Sequence, residues 1–395
     1  MLRSRIACRN RSCLSLAASF VPTRRSVPAR SPTFQRLLAW VRPTPCAGQS
    51  GGEVRLPAEQ DQWEDLLALA VHHRVYGPLC RGVAALPSGR VPADVQSDLA
   101  SAAHAARLRN KFLVGEMGRV QSLLAEAGVR SLAFKGPVLA YTVYGDGGYR
   151  RTGDIDLMVH PDDFPRAERR LVQDEYQPFR EESSFLDRLG THLNQQTVLV
   201  RGKSFAIDLH ASLTPIVHAS GARFDALWDR SVRRDVEGTC LRVLHPTDRL
   251  LMLCQQGIKN RWNRLKYTAD LAECLWGSED PDWTGLWAEA RRTSQARLLL
   301  TNLHVAHDLF GLPLPEFLHA EIAQDRPAER IGTWAVDKLQ SGTASVGVKM
   351  PERMWVYWTI QDTVSHSLHY AAYSLVRNLW EQARSVRSAV RGLTA

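Results

Sequence analysis

Two short acid-bearing strands constrain this chain more than any other feature. The first lies in "RTGDIDLMVH", residues 151–160, where Ile155 separates Asp154 from Asp156. The second closes "TVLVRGKSFAIDLHAS", residues 197–212, which reads as a hairpin around the turn "RGKS". In that strand Phe205, Ile207 and Leu209 alternate with Ala206, Asp208 and His210. Successive side chains on a strand point to opposite faces. Asp154 and Asp156 therefore share one face while Ile155 and Leu157 share the other, and Asp208 repeats the arrangement.

Three clustered carboxylates repel one another, and unpaired they would cost several kcal/mol or take up protons. A hard divalent cation removes that cost. Mg²⁺ prefers one or two carboxylates together with substrate phosphates. Two such ions about 3.5–4 Å apart bind the attacking and leaving oxygens of an in-line phosphoryl displacement. The segments around the acids suit the same chemistry. Lys135-Gly136 ends the apolar run "VRSLAFKG", and Pro137 opens the short helix "PVLAYTVYG". Such a strand-to-helix junction favours a phosphate. Arg150 and Arg151 immediately precede the acids.

The flanking segments read as helices. In "LASAAHAARLRNKFLVGEMGRVQSLLAEAGV" the positions Leu113, Met117, Val120 and Leu124 form one apolar stripe, stopped by Gly128. "HPDDFPRAERRLVQ" reads as an acid-capped helix with Phe164, Ala167 and Leu171 on one side. After about His245 the chain is again mostly helical. The order is helices, then a β-α-β-α-β-β core, then helices, which predicts an α+β fold. The expected divisions are a basic leader over 1–33, helices over 34–128, the core over 129–243 and helices over 244–395.

Composition narrows the partners. The net charge of +9 comes from the leader: residues 1–52 hold nine arginines and no acid. Setting those aside leaves 41 basic residues against 41 acidic ones, a formally neutral body. An Arg- and Ser-rich, acid-free leader fits a transit peptide, a start site assigned too far upstream, or a disordered tail; a nucleic-acid-binding arm is a further alternative. A cytoplasmic location is expected if the leader is no transit peptide. The seven cysteines are scattered without a CxxC pair, which predicts reduced thiols rather than a zinc site or disulfide framework. No apolar run reaches the roughly 18 residues of a membrane span, so no membrane partner is expected. GxGxxG and GxxxxGK[ST] motifs are absent, which argues against Rossmann and P-loop nucleotide sites.

"LAFKGPVLAYTVYGDGGYRRTGDIDLMVHPDD", followed by "FAIDLHASL", resembles the uncharacterised bacterial nucleotidyltransferase family of the DNA polymerase β-like superfamily. "GIKNRWNRLKYTADLAECL" and "YSLVRNLW" extend the resemblance toward the C-terminus. It implies a polymerase β-like core, a small mixed sheet with flanking helices. It also implies Asp154 and Asp156 as metal ligands, Asp208 as the third carboxylate and Gly136 as the nucleotide-binding turn. Lys135 and Arg150 match the family's Lys-Gly and pre-aspartate arginine, and His210 the histidine of its "DLH" signature. The chain departs from superfamily habit in having Lys-Gly at the turn, with Asp154 eighteen positions after Gly136. Ala211 replaces an aromatic, and Gln256 a histidine common in relatives.

The expected activity is metal-dependent transfer of an NMP group, AMP first, from a nucleoside triphosphate to an acceptor, with pyrophosphate released. Mg²⁺ is the expected ion and Mn²⁺ the alternative. Asp154, Asp156 and Asp208 are the expected catalytic residues, Lys135, Gly136 and Arg150 the nucleotide contacts, and His210 and Lys259 further substrate contacts. The segment "KNRWNRLK" reads as a helix whose basic side (Lys259, Arg261, Arg264, Lys266) faces either phosphates or solvent, with Asp270 available to pair with it. His72-His73 and His304/His307 have metal-compatible spacings without partner motifs, so structural roles are expected. Two rival classes are a catalytically silent nucleotide- or partner-binding protein on the same fold, and a nucleic-acid-binding module driven by the leader.

Overall fold

Strict alternation along residues 155–159 divides the protein into two cores on either side of one sheet. The computed structural model describes residues 32–43, 57, 60–87, 89–179, 196–212, 223–277, 281–340, 350–363 and 365. Its strands are β1 (Ser131–Ala133), β2 (Ile155–Val159), β3 (Gln177–Pro178), β4 (Gln196–Arg201), β5 (Phe205–His210), β6 (Val232–Val236) and β7 (Thr239–Val243). They form a seven-stranded mixed sheet in the order β3-β4-β5-β2-β1-β7-β6. All of β2 is buried. Ile155, Leu157 and Val159 enter one core with Ile207 and Leu209 of β5. Met158 enters the other, with Leu132 and Phe134.

The "RGKS" hairpin is present: β4 and β5 pair antiparallel from Arg201↔Phe205 to Gln196↔His210, and Gly202 takes φ +58° in the turn. β6 and β7, unlike β4 and β5, carry little hydrophobic signal. "VRRDV" buries Val236 alone of its five residues, so sequence periodicity marks no strand there. The turn itself is diagnostic, because Glu237 and Gly238 both have positive φ, as a two-residue I′ hairpin requires. β7 then runs parallel to β1 through Ala133↔Val243.

The helices before the sheet are α1 (Pro32–Val41), α2 (Gln60–His73), α3 (Tyr76–Ala84) and α4 (Ala93–Glu126). At 34 residues, α4 is about 50 Å long. Its first half puts Val95, Leu99 and Ala103 into one core. Its second half puts the expected stripe of Leu113, Met117, Val120 and Leu124 into the other. Gln121 pins α4 to the sheet: its amide donates to the carbonyls of Ser131 and Arg242 at 3.1 and 3.0 Å, and its oxygen accepts from the Arg242 N–H. Gly128, at φ +69°, turns the chain back toward β1.

Within the sheet region lie α5 (Pro137–Thr142), α6 (Phe164–Gln173) and α7 (Phe224–Arg230). As expected, α6 buries Phe164, Ala167 and Leu171. After the sheet come α8 (Pro246–Lys259), α9 (Lys266–Trp276), α10 (Trp283–Arg292), α11 (Ala296–Phe310), α12 (Glu316–Gln324), α13 (Arg326–Gln340) and α14 (Met350–Thr359). Helices from before and after the sheet share one core, with Trp63, Leu66 and Leu79 among Leu251, Leu271 and Leu299. Residues 1–31, which hold most of the leader, and "YSLVRNLW" lie outside the described residues. Among the described residues no helix is long and apolar enough to cross a membrane, and Cys80, Cys240, Cys254 and Cys274 are free thiols.

The expected continuous helix through "KNRWNRLK" is broken. Arg261 and Trp262 adopt left-handed backbone at φ 50° and 44°, and the chain re-enters a helix at Lys266. Burial of Trp262 causes the break. Its indole N–H donates to Asn302 Oδ1 at 3.2 Å. The ring lies against Gly257, where a Cβ would meet Nε1 at 3.0 Å and Asn302 Oδ1 at 2.4 Å. His73 stitches the break to α2, its Nδ1 accepting the Leu265 N–H at 3.2 Å. His307 is structural as well, its Nδ1 lying 2.8 Å from the Leu312 carbonyl.

Burial, then the charges of His72 and Arg264, push His73 down to about 3. Protonating Nδ1 would also remove the acceptor for Leu265. The unfolded chain therefore binds more protons than the fold between pH 6.5 and 3, and stability falls as pH drops through that window. By pH 5 the His73 contribution to the loss is about 2 kcal/mol. Asn at position 73 keeps an acceptor without titrating. Denaturant midpoints at pH 7.5 and 5 should separate less for His73→Asn than for the parent.

Candidate active site

The parallel pairing of β2 with β5 sets Asp156 opposite Asp208, and Met158 opposite His210. On adjacent parallel strands, facing residues are neighbours on the same side of the sheet. His210 then closes the group: its Nε2 lies 3.1 Å from Asp208 Oδ2 and 3.6 Å from Asp156 Oδ1. The imidazole is held edge-on by Phe134, with ring centroids 5.1 Å apart. Despite these short distances, His210 Nε2 is a buried nitrogen without a well-aligned hydrogen bond. Asp156, Asp208 and His210 each present one ligand atom, all within 4.8 Å of one another. A nitrogen directed between two carboxylates without bonding properly to either fits a divalent ion. The donor set of two oxygens and one imidazole suits Mn²⁺ as well as Mg²⁺.

Counter-charges surround the pair. Lys135 Nζ donates to Asp156 Oδ1 at 3.1 Å and lies over the Phe134 ring. Gln196 Nε2 donates to both Asp208 oxygens at 2.8 Å. Burial opposes ionisation of Asp156, but the Lys135 ammonium and the contact with His210 outweigh it and hold the carboxyl well below its ordinary range. Burial likewise opposes ionisation of Asp208; the close contact and charge of His210 again prevail, and its pKa is lowered.

Asp154 behaves differently. It stands just before β2 with its surface open to water. Partial desolvation, then the negative charges of Asp156 and Asp208, raise its pKa. The acid at the mouth therefore bears the repulsion that the two inner acids have neutralised. The lysines that oppose this shift are Lys135 and Lys266. Lys259 lies in the last turn of α8, where its carbonyl accepts from Tyr357 Oη at 3.0 Å.

Gly136 makes the turn beside the acids. It has φ +56° and ψ −132°, a conformation open to glycine. A Cβ there would lie 3.0 Å from the Asp154 carbonyl oxygen and 3.3 Å from Thr152 Cγ2. The turn is held from behind by Arg150, which the sequence presents as a nucleotide contact. Its guanidinium is buried instead, donating to the Gly136 carbonyl at 2.9 Å and to both oxygens of Asp270 at 2.9 and 3.0 Å. Asp270 also accepts from Tyr144 Oη at 2.8 Å. Asn110 of α4 fixes the approaching loop by donating to the carbonyls of Gly147 and Arg150.

The sequence marks His210 through the "DLH" resemblance and the alternation that places it on the face of Asp208, but as a substrate contact; its closeness to both carboxylates comes from the strand pairing. Asp270 is the buried anchor of Arg150, joined across 120 residues, and local spacing carries no trace of that contact.

A family model described as "Uncharacterised nucleotidyltransferase" matches residues 59–311. The chain belongs to that family. The match takes in α2 to α11 and with them every residue of the site. A crystal structure of an antigenic nucleotidyltransferase-like protein from Paracoccidioides brasiliensis is similar over 57% of this chain and 92% of its own, at 13% identity and a TM-score of 0.32. No curated protein matches the sequence.

Gly136→Ala should cost about 1–3 kcal/mol through backbone strain and displace the Asp154 carbonyl; chemical denaturation of parent and variant measures it. Asp270→Ala strands a buried guanidinium and should cost about 3–5 kcal/mol in the same assay.

Proposed function

We propose that the protein transfers a nucleoside monophosphate, AMP as first choice, from a nucleoside triphosphate to an acceptor hydroxyl or other nucleophile, releasing pyrophosphate. The observation that carries this reading is the orphaned His210 nitrogen between paired Asp156 and Asp208, next to a glycine turn, in a nucleotidyltransferase-family chain.

Asp156, Asp208 and His210 hold the divalent ion, Mg²⁺ or Mn²⁺, and Asp154 adds a carboxylate on the side where the phosphates enter. The ion supplies charge neutralisation for the triphosphate and eases deprotonation of the acceptor. The remaining work is positioning and electrostatics. Gly136 lets the backbone approach the nucleotide closely, and Arg150, locked by Asp270, keeps that turn in place rather than touching phosphate. Lys135 stands ready to exchange its Asp156 partner for a phosphate oxygen. Asp208, oriented by Gln196, takes the acceptor's proton. The acceptor oxygen bonds to the α-phosphorus as the bond to the bridging oxygen breaks, and pyrophosphate departs with the electron pair.

The test is incubation of the purified chain with each α-labelled NTP, Mg²⁺ or Mn²⁺ and cell extract, followed by identification of the labelled species. A labelled acceptor and pyrophosphate are expected, and Asp156→Asn should lower the rate by at least about 10²-fold while the chain stays folded by circular dichroism. Undiminished turnover in that variant would remove the site assignment. Nucleotide binding without pyrophosphate release, in the parent and in every extract, would favour a silent binding protein.

A further inference from the structure

The broken segment between α8 and α9 sorts its basic residues by what each one meets. Arg264 donates to the carbonyl of His72 and so belongs to the junction with α2. Lys338 Nζ donates to the Arg261 carbonyl and fixes the left-handed turn. Lys266 has no hydrogen-bond or ion-pair partner among the described residues. It is the first residue of α9 and half-buried. It lies four positions before Asp270, hence on the same helix face, the one that grips Arg150.

The surroundings of this ammonium are unbalanced. Burial, then the positive charge of Arg150, push Lys266 down to about 8; Asp270 and Asp154 act in the opposite direction, and Arg74 adds to the repulsion. Asp270 is already committed to Arg150 and Tyr144. Asp154, the outermost acid, lies within electrostatic reach but not at ion-pair distance. A further anion entering past Asp154 would relieve both the desolvation and the crowding of like charge.

We infer that Lys266 binds the terminal phosphates of the triphosphate, meeting them from the helical layer while Lys135 and the acids engage the inner end from the sheet. This inference rests on the nucleotidyl-transfer reading and deepens it. It also gives the broken helix a purpose, since after the turn at Arg261 and Trp262 the chain starts α9 with Lys266 on the face whose Asp270 grips Arg150, the residue that holds the Gly136 turn. A lysine here discriminates by charge at the far end of the substrate. It favours a polyphosphate over a monophosphate and is indifferent to the base.

The probe is inorganic tripolyphosphate, titrated calorimetrically in the presence of Mn²⁺ into the full chain, with Mn²⁺ alone followed by electron paramagnetic resonance. Lys266→Met should weaken tripolyphosphate binding about 10- to 100-fold. Binding of Mn²⁺ alone should be unchanged or tighter, because a nearby positive charge has gone. Lys266→Arg should retain most of the polyphosphate affinity, and Lys266→Gln should repeat the loss should the methionine variant fold poorly. Equal weakening of Mn²⁺ and tripolyphosphate would make Lys266 a structural residue and overturn the inference, as would unaltered tripolyphosphate binding. A parent chain that binds Mn²⁺ but neither tripolyphosphate nor any NTP would bring down the nucleotidyl-transfer reading and this inference with it.

Discussion

The adjacency of β2 and β5 in parallel register is the constraint to which the rest of the structure answers. It sets Asp156 beside Asp208 on a buried sheet face, and like charges directly opposite on neighbouring strands oppose the pairing that brings them together. The protein tolerates this because the other faces of the same strands bury Ile155, Leu157, Ile207 and Leu209 completely. The repulsion that remains is met by single, well-placed groups: Lys135 on Asp156, Gln196 on Asp208, and His210 between them. Asp154, outside the strand and open to water, has no such partner among the described residues and retains the raised pKa.

A second layer of support comes from far along the chain. The turn at Gly136 is strained backbone close to Asp154, and it persists because Arg150 ties its carbonyl to Asp270 on α9. A buried ion pair of this kind adds little net stability, but it demands one arrangement, since either partner left alone would be a costly buried charge. The sheet supplies the acids, and the helical layer supplies the brace that orients the turn in front of them.

Much of this was legible in the sequence wherever function and burial use the same periodicity. The alternation in "GDIDLMV" and "FAIDLH" gave the strands, the shared face of the acids and the position of His210 relative to Asp208. The apolar stripe of α4 and its glycine stop were equally plain. β6 stayed hidden because its exposed arginines erase the alternation, so only the Glu237-Gly238 turn marks it. The helix break at Arg261 and Trp262 could not be read either, since it depends on an indole finding Asn302 and the flat face of Gly257. Arg150 looked like a ligand contact from its place before the acids. Its true partner, Asp270, is a tertiary contact that spacing cannot encode.

α4 carries a consequence of another kind. Its two halves are seated in different cores, Leu99 and Ala103 in one and Met117 and Val120 in the other. A domain boundary normally follows a seam that few contacts cross, and here one continuous helix spans the seam between the two cores. Were either core to melt, half of that helix would be stripped of its packing, and an isolated helix of such modest length is marginal in water. Sheet and helical layer thus form a single cooperative unit, and loosening at the periphery is transmitted to the face that carries Asp156, Asp208 and His210 instead of stopping at a hinge.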